Sequence, residues 1–591
     1  MRSNHTVHIP VMGTGFTIDS PIKVARFGIN SVISLVDDIL VEQMRKYHSE
    51  RLGMPFQPIP NTDPDPRAHR ITAFLNLQKT ILDSQIERLR SEPFEPGREI
   101  VKYFEMLPDG ELRRQYVAMT AMTDSSAKRA AEDALRLRII PGTIDVNIMT
   151  KLDADEYRDG QKRPPEFSHA SAALRGFALS DLDANIIISA GLNKRLFEYM
   201  TQFADFYPNA DGHIRKRIVL KVSDLRSAQV QSKYLARKGL WVSEFRIESG
   251  LNCGGHAFAA NGILLGPILE EFREKRKAMD DETCRTYFES LVKYGKAVPG
   301  RTPDVLVTAQ GGIGTAEEDR FLIDYYKLDG TGWGTPFLLV PEAINLDADH
   351  IQRLINATDK DVDLSDSSPV GIPFWTLNTA ESEVARKRRI ADGKPGAPCP
   401  KGYLVSSTEF TERPICVASR AWQKKKLEKI NADASLSADM KRRLTDKVVG
   451  KACICHDLAG GTTKPLGIDP NATACVCAGP NIVNFSKVAT LAEMLDHIYG
   501  RRALPVRAGR DNMFINELEI NVRQMEKELE ESNAGVAVKP ARYFTEYRDN
   551  LMNGIAYYRT NANAIAGQDA DRFIAALDRI SETVRRPATF V

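Results

Sequence analysis

The sequence predicts an α/β protein: a (β/α)8 barrel with a large helical insertion and a C-terminal, mostly helical extension that contains cysteines. Short apolar runs alternate with helical stretches over the first 380 residues, and glycine-rich turns follow several of these runs. Such alternation is typical of a parallel sheet with right-handed crossovers, and about eight such units close into a barrel. An open doubly wound sheet is the alternative, although no G-x-G-x-x-G sequence follows the first strand.

Eight apolar runs are the predicted strands. They occupy residues 7–12, 29–35, 142–148, 184–189, 217–222, 242–248, 305–309 and 337–340. A helix is expected to begin at residues 22–27. Residues 37–135 are helical and charged, a stretch too long for an ordinary connection between a strand and a helix. We therefore expect an insertion that covers one mouth of the barrel.

Three regions follow from this pattern. The barrel is predicted over residues 1–380, with its insertion at about 37–135. A polar linker rich in proline and glycine then leads into a cysteine-rich module over residues 381–490, which includes a charged helical pair at 421–449. Residues 491–591 are predicted to be helical. Packing or oligomerisation is their expected role, and a homo-oligomer is expected.

Composition excludes several classes of protein. The 591 residues are 42% hydrophobic, enough for a sizeable core. The 80 basic and 78 acidic residues leave a net charge of +2, which does not favour nucleic acid or an anionic membrane as a partner. No apolar run reaches the roughly 18 residues of a membrane helix, and the first residues carry no signal-peptide pattern. We expect a cytoplasmic protein, in which the eight cysteines are thiols or metal ligands rather than disulfides.

One basic run stands out against this balance. Trp422 precedes three consecutive lysines at residues 424–426, and further basic residues follow at 441–443. Such a run attracts RNA or an acidic carrier protein in some settings. Acidic residues are interleaved with it, so a solvated helix face is the preferred interpretation.

Two glycine-rich turns carry the clearest functional signal. Gly311, Gly312 and Gly314 follow one apolar run, and Gly334 with Thr335 closes a second turn about twenty residues later. In a barrel, the loops after strands 7 and 8 present backbone N–H groups to a phosphate, and glycine permits the close approach. Two ordinary turns are the alternative interpretation.

The cysteines form a second signal, because six of the eight lie between residues 399 and 477. Two C-x-C pairs suit a tetrahedral thiolate site for a [4Fe–4S] cluster or zinc. Buried thiols without a metal are the third possibility. Cys284 lies in an amphipathic stretch and is expected in the core. The predicted ligands are Cys453, Cys455, Cys475 and Cys477, with Cys399 and Cys416 as further candidates.

Four stretches match, in order, a known pattern. They are residues 10–13 with 25–31 behind them, 144–148, 245–258 with its Gly-Gly-His sequence, and 311–335. In these stretches the chain resembles the nitronate monooxygenase family of FMN-dependent TIM barrels, formerly called 2-nitropropane dioxygenases, which includes enoyl reductases. The resemblance covers residues 8–380, with large insertions.

The chain departs from the family pattern in several places. Cys253 replaces the usual small residue before Gly-Gly-His, and Ser249 stands where glutamine is common. The insertion and the region after residue 379 have no counterpart in the short family members. The resemblance therefore implies the fold and FMN more strongly than it implies a substrate.

The resemblance also implies roles for individual residues. Met12 and Gly13 would lie against the isoalloxazine ring, Asn147 would hydrogen-bond its edge, and Gly254 and Gly255 would lie beside the cofactor. His256 would donate or accept a proton at the reacting carbon, its position at a strand end being where barrel enzymes place their chemistry. A histidine hydrogen-bonded to a neighbouring loop is the alternative.

Lys221, at the end of another predicted strand, would place a positive charge near the flavin and stabilise its reduced anion. A solvent-facing lysine is equally compatible with the sequence.

The expected function is that of an FMN-dependent oxidoreductase that reduces an activated C=C bond in a small molecule. Electrons would come from a ferredoxin-like or nicotinamide donor, with the cysteines as a possible relay. One alternative is a flavin oxygenase resembling nitronate monooxygenase. Another is a non-catalytic barrel that acts in binding or assembly. An RNA-modifying flavoenzyme is a more distant alternative that rests on the lysine run.

Overall fold

The computed structural model describes residues 4–150, 153–189, 191–258 and 261–586. Eight parallel strands form a closed barrel in which the last strand pairs with the first. In chain order these strands are β1 (Val7–Ile9), β2 (Asn30–Ser34), β3 (Ile144–Met149), β4 (Ala184–Ser189), β5 (Lys216–Val222), β6 (Val242–Glu248), β7 (Leu306–Gln310) and β8 (Gly330–Gly332). The predicted (β/α)8 barrel is confirmed.

Helices separate the strands and continue beyond them. They are α1 (Ser20–Val24), α2 (Asp38–Arg51), α3 (Pro66–Ser91), α4 (Glu99–Met106), α5 (Glu111–Thr120), α6 (Ser125–Arg136), α7 (His169–Ala178), α8 (Lys194–Met200), α9 (Leu225–Ala236), α10 (Leu265–Lys293), α11 (Ala316–Tyr326), α12 (Ala348–Ile355), α13 (Glu381–Ala391), α14 (Arg420–Ala432), α15 (Ala438–Gly450), α16 (Ile454–Thr463), α17 (Leu491–Ile498), α18 (Met513–Asn533), α19 (Ala541–Thr560), α20 (Ala562–Ala566) and α21 (Ala570–Arg585). Of these, none combines the length and the apolar character needed to cross a bilayer.

The last barrel strand is not where the sequence predicted it. Residues 337–340 belong to a buried 3-10 helix, Thr335–Leu339, and its C-cap, and the strand is the glycine-rich segment before it. Close neighbours explain the glycines, because a Cβ at Gly330 would lie 2.4 Å from the carbonyl oxygen of Thr6. A Cβ at Gly332 would meet His8 Nε2 at 2.6 Å. This strand therefore needs glycine at both positions, although glycine usually weakens a strand.

The helical insertion, α2 to α6, packs on the outside of the barrel. Helix α3 lies against α7 so closely that a Cβ on Gly176 would come within 2.8 Å of Ile71. Thr72 Oγ1 also donates to the Gly176 carbonyl oxygen at 2.9 Å. Among the described residues, none between Asp38 and Arg136 lines the cavity at the barrel mouth. The prediction that the insertion covers this mouth is wrong.

The region after the barrel covers the mouth instead. A hairpin of β9 (Val362–Ser365) and β10 (Phe374–Leu377) docks on the loop after β6, where Phe374 bridges to His256. Helix α16 lies over the first loop, with the Gly15 N–H donating to the Leu458 carbonyl at 3.3 Å. The predicted linker after residue 380 begins instead as helix α13, whereas the charged helical pair appears as α14 and α15.

Candidate active site

A cavity lies where the carboxyl ends of the eight strands meet. Every barrel strand or the loop after it contributes to the wall, and the post-barrel region closes the cavity from above. The residues that this region contributes are Phe374, Leu404, Ile454, Cys455, Leu458, Cys477 and Asn481. Most of them are apolar, so this side of the cavity offers mainly apolar contact to whatever binds there.

Nearly all the residues predicted for a cofactor site line this one cavity. They are Met12, Gly13, Asn147, Lys221, Gly254, Gly255, His256, Gly311, Gly312, Gly334 and Thr335. Gly314 does not line the cavity, and its N–H already donates to Glu318 Oε2 at 2.8 Å. The sequence-predicted residues other than Gly314 thus lie together, and their role as a cofactor site stays a prediction.

The two glycine-rich loops present a set of backbone donors. In the part of the chain that the structure describes, the N–H groups of Gly312, Ile313, Gly334 and Thr335 donate no hydrogen bond. Gly312 has φ of 79°, in the left-handed region that favours glycine. A Cβ at this position would lie 1.9 Å from Asn252 Nδ2. The loop conformation thus depends on glycine, and it leaves N–H groups without a partner among the described residues at the wall of the cavity.

A buried ion pair holds the first of these loops in place. Arg510 donates to both oxygens of Glu318, at 2.7 and 2.9 Å, and to the Gly312 carbonyl oxygen at 3.0 Å. Thr315 caps α11 by accepting from the Glu318 N–H. The sequence signal was the T-x-x-E spacing of a capping box at the start of this helix. Arg510, 192 residues away, carried no such signal.

Two buried polar atoms at the cavity wall have no partner. Asn252 Nδ2 and Thr14 Oγ1 make no hydrogen bond to any residue that the structure describes. Both residues line the cavity, and Asn252 lies against Gly312. An unsatisfied buried polar atom costs about 1–3 kcal/mol, which a hydrogen bond to a ligand would offset. Sequence reasoning missed Asn252, whose signal is a polar residue a few positions after β6.

His256 lies at the edge of the cavity with its ring held on two sides. Nε2 is 2.7 Å from Ser368 Oγ, and the ring packs edge-on against Phe374 at 5.1 Å between centroids. Burial, followed by the charge of Lys221, lowers the pKa of His256 to about 4. The imidazole is therefore neutral at physiological pH. A Ser368 hydroxyl that donates to Nε2 would leave the ring proton on Nδ1.

Charged side chains form the floor of the cavity. Lys221 Nζ contacts Glu248 Oε2 at 2.7 Å, and Gln310 Nε2 donates to the other Glu248 oxygen at 3.0 Å. Lys221 does not face solvent, as its side chain is only 17% exposed. The sequence analysis named Lys221 as a candidate site residue but did not name Glu248, whose carboxylate offsets the charge of Lys221. Beside them, Asn147 Nδ2 donates to Ser189 Oγ at 2.6 Å.

The post-barrel cysteines interact in pairs, one of which is not a C-x-C pair. Cys453 contacts Cys455, but the other close pair is Cys399 with Cys416. A hydrogen bond from Cys416 lowers the pKa of Cys399 to about 6, and one from Cys453 lowers the pKa of Cys455. Burial raises the pKa of Cys475, and it raises that of Cys477 to about 12. Cys284, expected in the core, is half-buried in α10 and packs against the core from its edge.

One further group of ligating atoms has a structural explanation. Asp347, Asp349 and His350 are the one set among the described residues whose ligand atoms lie within 4.8 Å of one another. Asp347 caps α12 and accepts from His350 Nδ1 at 2.8 Å, while His350 Nε2 accepts from the Glu381 N–H at 3.2 Å. These bonds account for the cluster without a metal.

Two lysines of α14, one of them from the basic run, pair with the same acidic neighbour. Lys426 and Lys429 both donate to Glu409, at 2.8 and 3.0 Å, and Lys426 also lies over the Trp422 ring. On α15, Arg442 and Arg443 pair with Asp439. These contacts offset part of the basic charge on the two helices.

Comparison with known proteins gives a distant likeness in structure alone. No family model and no curated protein matches the chain. The chain is similar to the enoyl reductase domain of MlnA from the macrolactin cluster of Bacillus amyloliquefaciens, at 11% identity and a TM-score of 0.36, over 94% of this chain and 96% of that one.

Two further structures resemble it less. Nitroalkane oxidase from Streptomyces ansochromogenes shares 11% identity at a TM-score of 0.32, over 85% of this chain and 96% of its own. An IMP dehydrogenase/GMP reductase-like protein from Corynebacterium glutamicum shares 9% identity at a TM-score of 0.24, over 58% of this chain and 66% of its own. Similarity at this level does not transfer an activity, so the chemistry rests on the residues of this chain.

Proposed function

We propose that this chain is an FMN-dependent oxidoreductase that reduces an activated C=C bond in a small molecule. The observation that carries the proposal is the set of four undonated N–H groups, from Gly312, Ile313, Gly334 and Thr335, on one wall of the cavity. Backbone N–H groups beside a helix start are the usual partners of a phosphate. A wall with several free backbone N–H groups would suit the phosphate group of FMN.

The remaining walls suit the ring of the same cofactor. Pro10 and Met12 offer apolar contact, and the orphaned Asn252 Nδ2 offers a donor near the phosphate loop. Asn147 and Lys221 offer polar groups for the ring edge. When bound, FMN would supply the hydride chemistry that no side chain provides. The chain's own residues position the cofactor and offer it mainly apolar contact from the post-barrel side of the cavity.

His256 is the group placed to move a proton. Its lowered pKa keeps the ring neutral, and Nε2 shares a hydrogen bond with Ser368 Oγ; if that hydroxyl is the donor, the ring proton is on Nδ1 and would be available to a substrate atom. A carbon that receives a hydride at one end of a polarised C=C bond needs a proton at the other end. The neutral imidazole, and not the imidazolium, is the form that would supply it, since the lowered pKa keeps the ring uncharged.

The first test compares FMN with riboflavin, which lacks the phosphate. We expect the purified chain to bind FMN at least tenfold more tightly than riboflavin in a fluorescence-quenching titration, because only FMN engages the N–H groups. Inorganic phosphate should compete with FMN but not with riboflavin. Equal affinity for both flavins would remove the phosphate assignment, and binding of neither would remove the proposal.

The second test distinguishes the reaction. The FMN-loaded protein is given NADPH, NADH or a reduced ferredoxin as donor, together with a panel of enones and α,β-unsaturated thioesters. We expect consumption of the unsaturated substrate under anaerobic conditions. Turnover that occurs only with nitronates and consumes oxygen would contradict the proposed reaction and favour the oxygenase.

A further inference from the structure

A second pocket lies between α14 and α15, away from the barrel mouth. Its walls come from both helices, from Val417 before α14, from Lys451 after α15, and from Pro369 and Gly371 in the segment between β9 and β10. Among the described residues, none lines both this pocket and the mouth cavity. We call it the helical-pair pocket, and a ligand bound there would leave the mouth cavity free.

The inside of the helical-pair pocket is largely apolar. The large apolar side chains of its wall are Val417, Trp422, Ile430, Leu436, Leu444 and Val448. Trp422, Ile430 and Val448 form a hydrophobic cluster of their own, apart from the core of the barrel. Leu436 and Leu444 are only half-buried, so apolar surface stays open in the pocket. Its volume of about 510 Å³ lies in the range of small-molecule sites.

Four lysines bring positive charge to this wall, and in the described part of the chain Asp433 is its only acidic residue. Three of the lysines are already paired with carboxylates outside the wall, Lys426 and Lys429 with Glu409, and Lys447 with Glu531. Lysine stems commonly cover apolar surface while their charged ends stay near water. These three lysines therefore need no ligand to explain their position.

Lys451 differs from the other three, because no carboxylate among the described residues forms an ion pair with it. Its half-buried ammonium donates to the carbonyl oxygens of Asp366 at 2.6 Å and Ser368 at 3.1 Å. The Asp366 carboxylate is paired with Lys527 instead, at 3.1 Å. An ammonium has three N–H donors, so two carbonyl bonds leave one for an anion. A cation partly withdrawn from water is stabilised by a counterion.

We propose that the helical-pair pocket binds a small amphipathic carboxylate, a molecule with one carboxylate and an aliphatic or aromatic body. The carboxylate pairs with Lys451, the cation of the wall that lacks a carboxylate partner. The apolar body lies against Trp422 and Leu444. A small hydrated anion such as inorganic phosphate would leave the apolar wall in contact with water, so an apolar body is part of the ligand.

Lys451 also connects the helical-pair pocket to the segment that holds His256. One of the two carbonyl groups that Lys451 binds belongs to Ser368, and Ser368 Oγ is 2.7 Å from His256 Nε2. A carboxylate bound to Lys451 is therefore two hydrogen-bonded contacts away from the histidine at the mouth cavity. Binding in the helical-pair pocket does not depend on the proposed reaction or on flavin.

The test titrates the full-length chain with decanoate, and with decanol as a probe of the same chain length without the charge. Calorimetry measures affinity, and tryptophan fluorescence reports the place, since Trp422 lies in the wall. We expect one decanoate per chain, bound at least tenfold more tightly than decanol, and a fluorescence change that Trp422→Phe removes. No saturable binding, equal affinity for both probes, or a fluorescence change that persists in Trp422→Phe would overturn the proposal.

Lys451→Met then tests the partner of the carboxylate. Decanoate affinity should fall at least tenfold while decanol affinity stays the same, because only the charged contact is lost. The matched control is Lys425→Met, an exposed lysine of α14 outside the pocket wall, which should keep both affinities. Decanoate affinity that Lys451→Met leaves unchanged would contradict the assignment.

Leu444→Glu provides a second variant in case Lys451→Met does not fold, as checked by circular dichroism. It places a negative charge in the pocket wall and should abolish decanoate binding, whereas retained binding would contradict the proposal. Analytical ultracentrifugation tests the other occupant, a second copy of the chain. A dimer that Leu444→Glu dissociates and that decanoate leaves intact would make the pocket a contact between copies and overturn the proposal.

Discussion

Lys221 and Glu248 form an ion pair of 2.7 Å on the floor of the cavity, at the ends of adjacent strands β5 and β6. Both side chains are less than a fifth exposed, so solvent screens their charges weakly. The pair makes the floor close to neutral in total, and removal of either partner changes the charge that a bound cofactor experiences.

The Glu248→Gln substitution leaves the Lys221 cation without its partner. We expect the midpoint potential of bound FMN to rise by an amount on the order of tens of millivolts, because a nearby positive charge stabilises the reduced anion. Lys221→Met should lower the potential by a similar amount. Both potentials are measured against reference dyes. Lys464→Gln removes an exposed cation outside the cavity and is the control. A potential that both cavity substitutions leave unchanged would place the flavin elsewhere.

Gly312→Ala tests the first glycine loop. The new Cβ would collide with Asn252 in a backbone conformation that already disfavours alanine, so we expect FMN affinity to fall at least tenfold. Gly371→Ala is the matched control, because its φ is 74° but no atom lies within 4 Å of the added Cβ. Alanine in the left-handed backbone conformation should lower the stability of both variants by about 1–2 kcal/mol. Unchanged affinity in Gly312→Ala would argue against the loop as a phosphate site.

The sequence predicted most of the barrel because apolar runs with clear ends mark its strands. Strand β6 has both predicted ends. Strand β8 was misplaced, since Gly330 and Gly332 lack the β-propensity by which strands are recognised, and steric contacts that only the fold creates require them. The buried run at residues 337–340 looked like a strand because a short apolar segment does not reveal whether it is extended or turned.

The candidate site was predictable where residue type alone gives the signal. Glycines after apolar runs and a histidine after a strand mark the loops at the barrel mouth. Residues that contact each other but lie far apart in the sequence gave no such signal. Arg510 and Glu318, for example, are separated by 192 positions. The cover of the mouth was assigned to the wrong segment for the same reason.

His256→Gln should slow reduction of the unsaturated substrate by about 10²–10⁴-fold, the usual range for loss of a positioned proton carrier. Flavin content should stay unchanged. Because the pKa of His256 is lowered to about 4, the wild-type rate should show no dependence on this group between pH 5 and 8, and protonation should appear only near pH 4. Stopped-flow absorbance checks both points. The control is His213→Gln, which alters an exposed histidine paired with Asp183. Equal rates in the two variants would remove His256 from the reaction.

Glu517 sets a pH dependence of stability that is separate from catalysis. Its buried carboxyl accepts from Ser249 Oγ at 2.6 Å and from the Leu265 N–H at the start of α10, and burial raises its pKa to about 7. The folded chain therefore binds a proton between about pH 4.5 and 7 that the unfolded chain has released. The stabilisation of the folded chain by the protonated Glu517 carboxyl is therefore fully present below about pH 4.5 and is lost as the pH rises towards 7.

Glu517→Gln keeps a neutral side chain of the same shape and removes this titration. We expect the variant to lose stability relative to the wild type at pH 5 and to recover most of that difference at pH 8. The change across this interval should be about 3 kcal/mol, since each pKa unit corresponds to about 1.4 kcal/mol. Urea unfolding at both pH values measures it. The control is Glu519→Gln, on the same helix but paired with Arg579 near the surface. Its stability difference from the wild type should be the same at pH 5 and pH 8. A constant difference between wild type and Glu517→Gln at all pH values would mean that Glu517 is ionised in the folded chain.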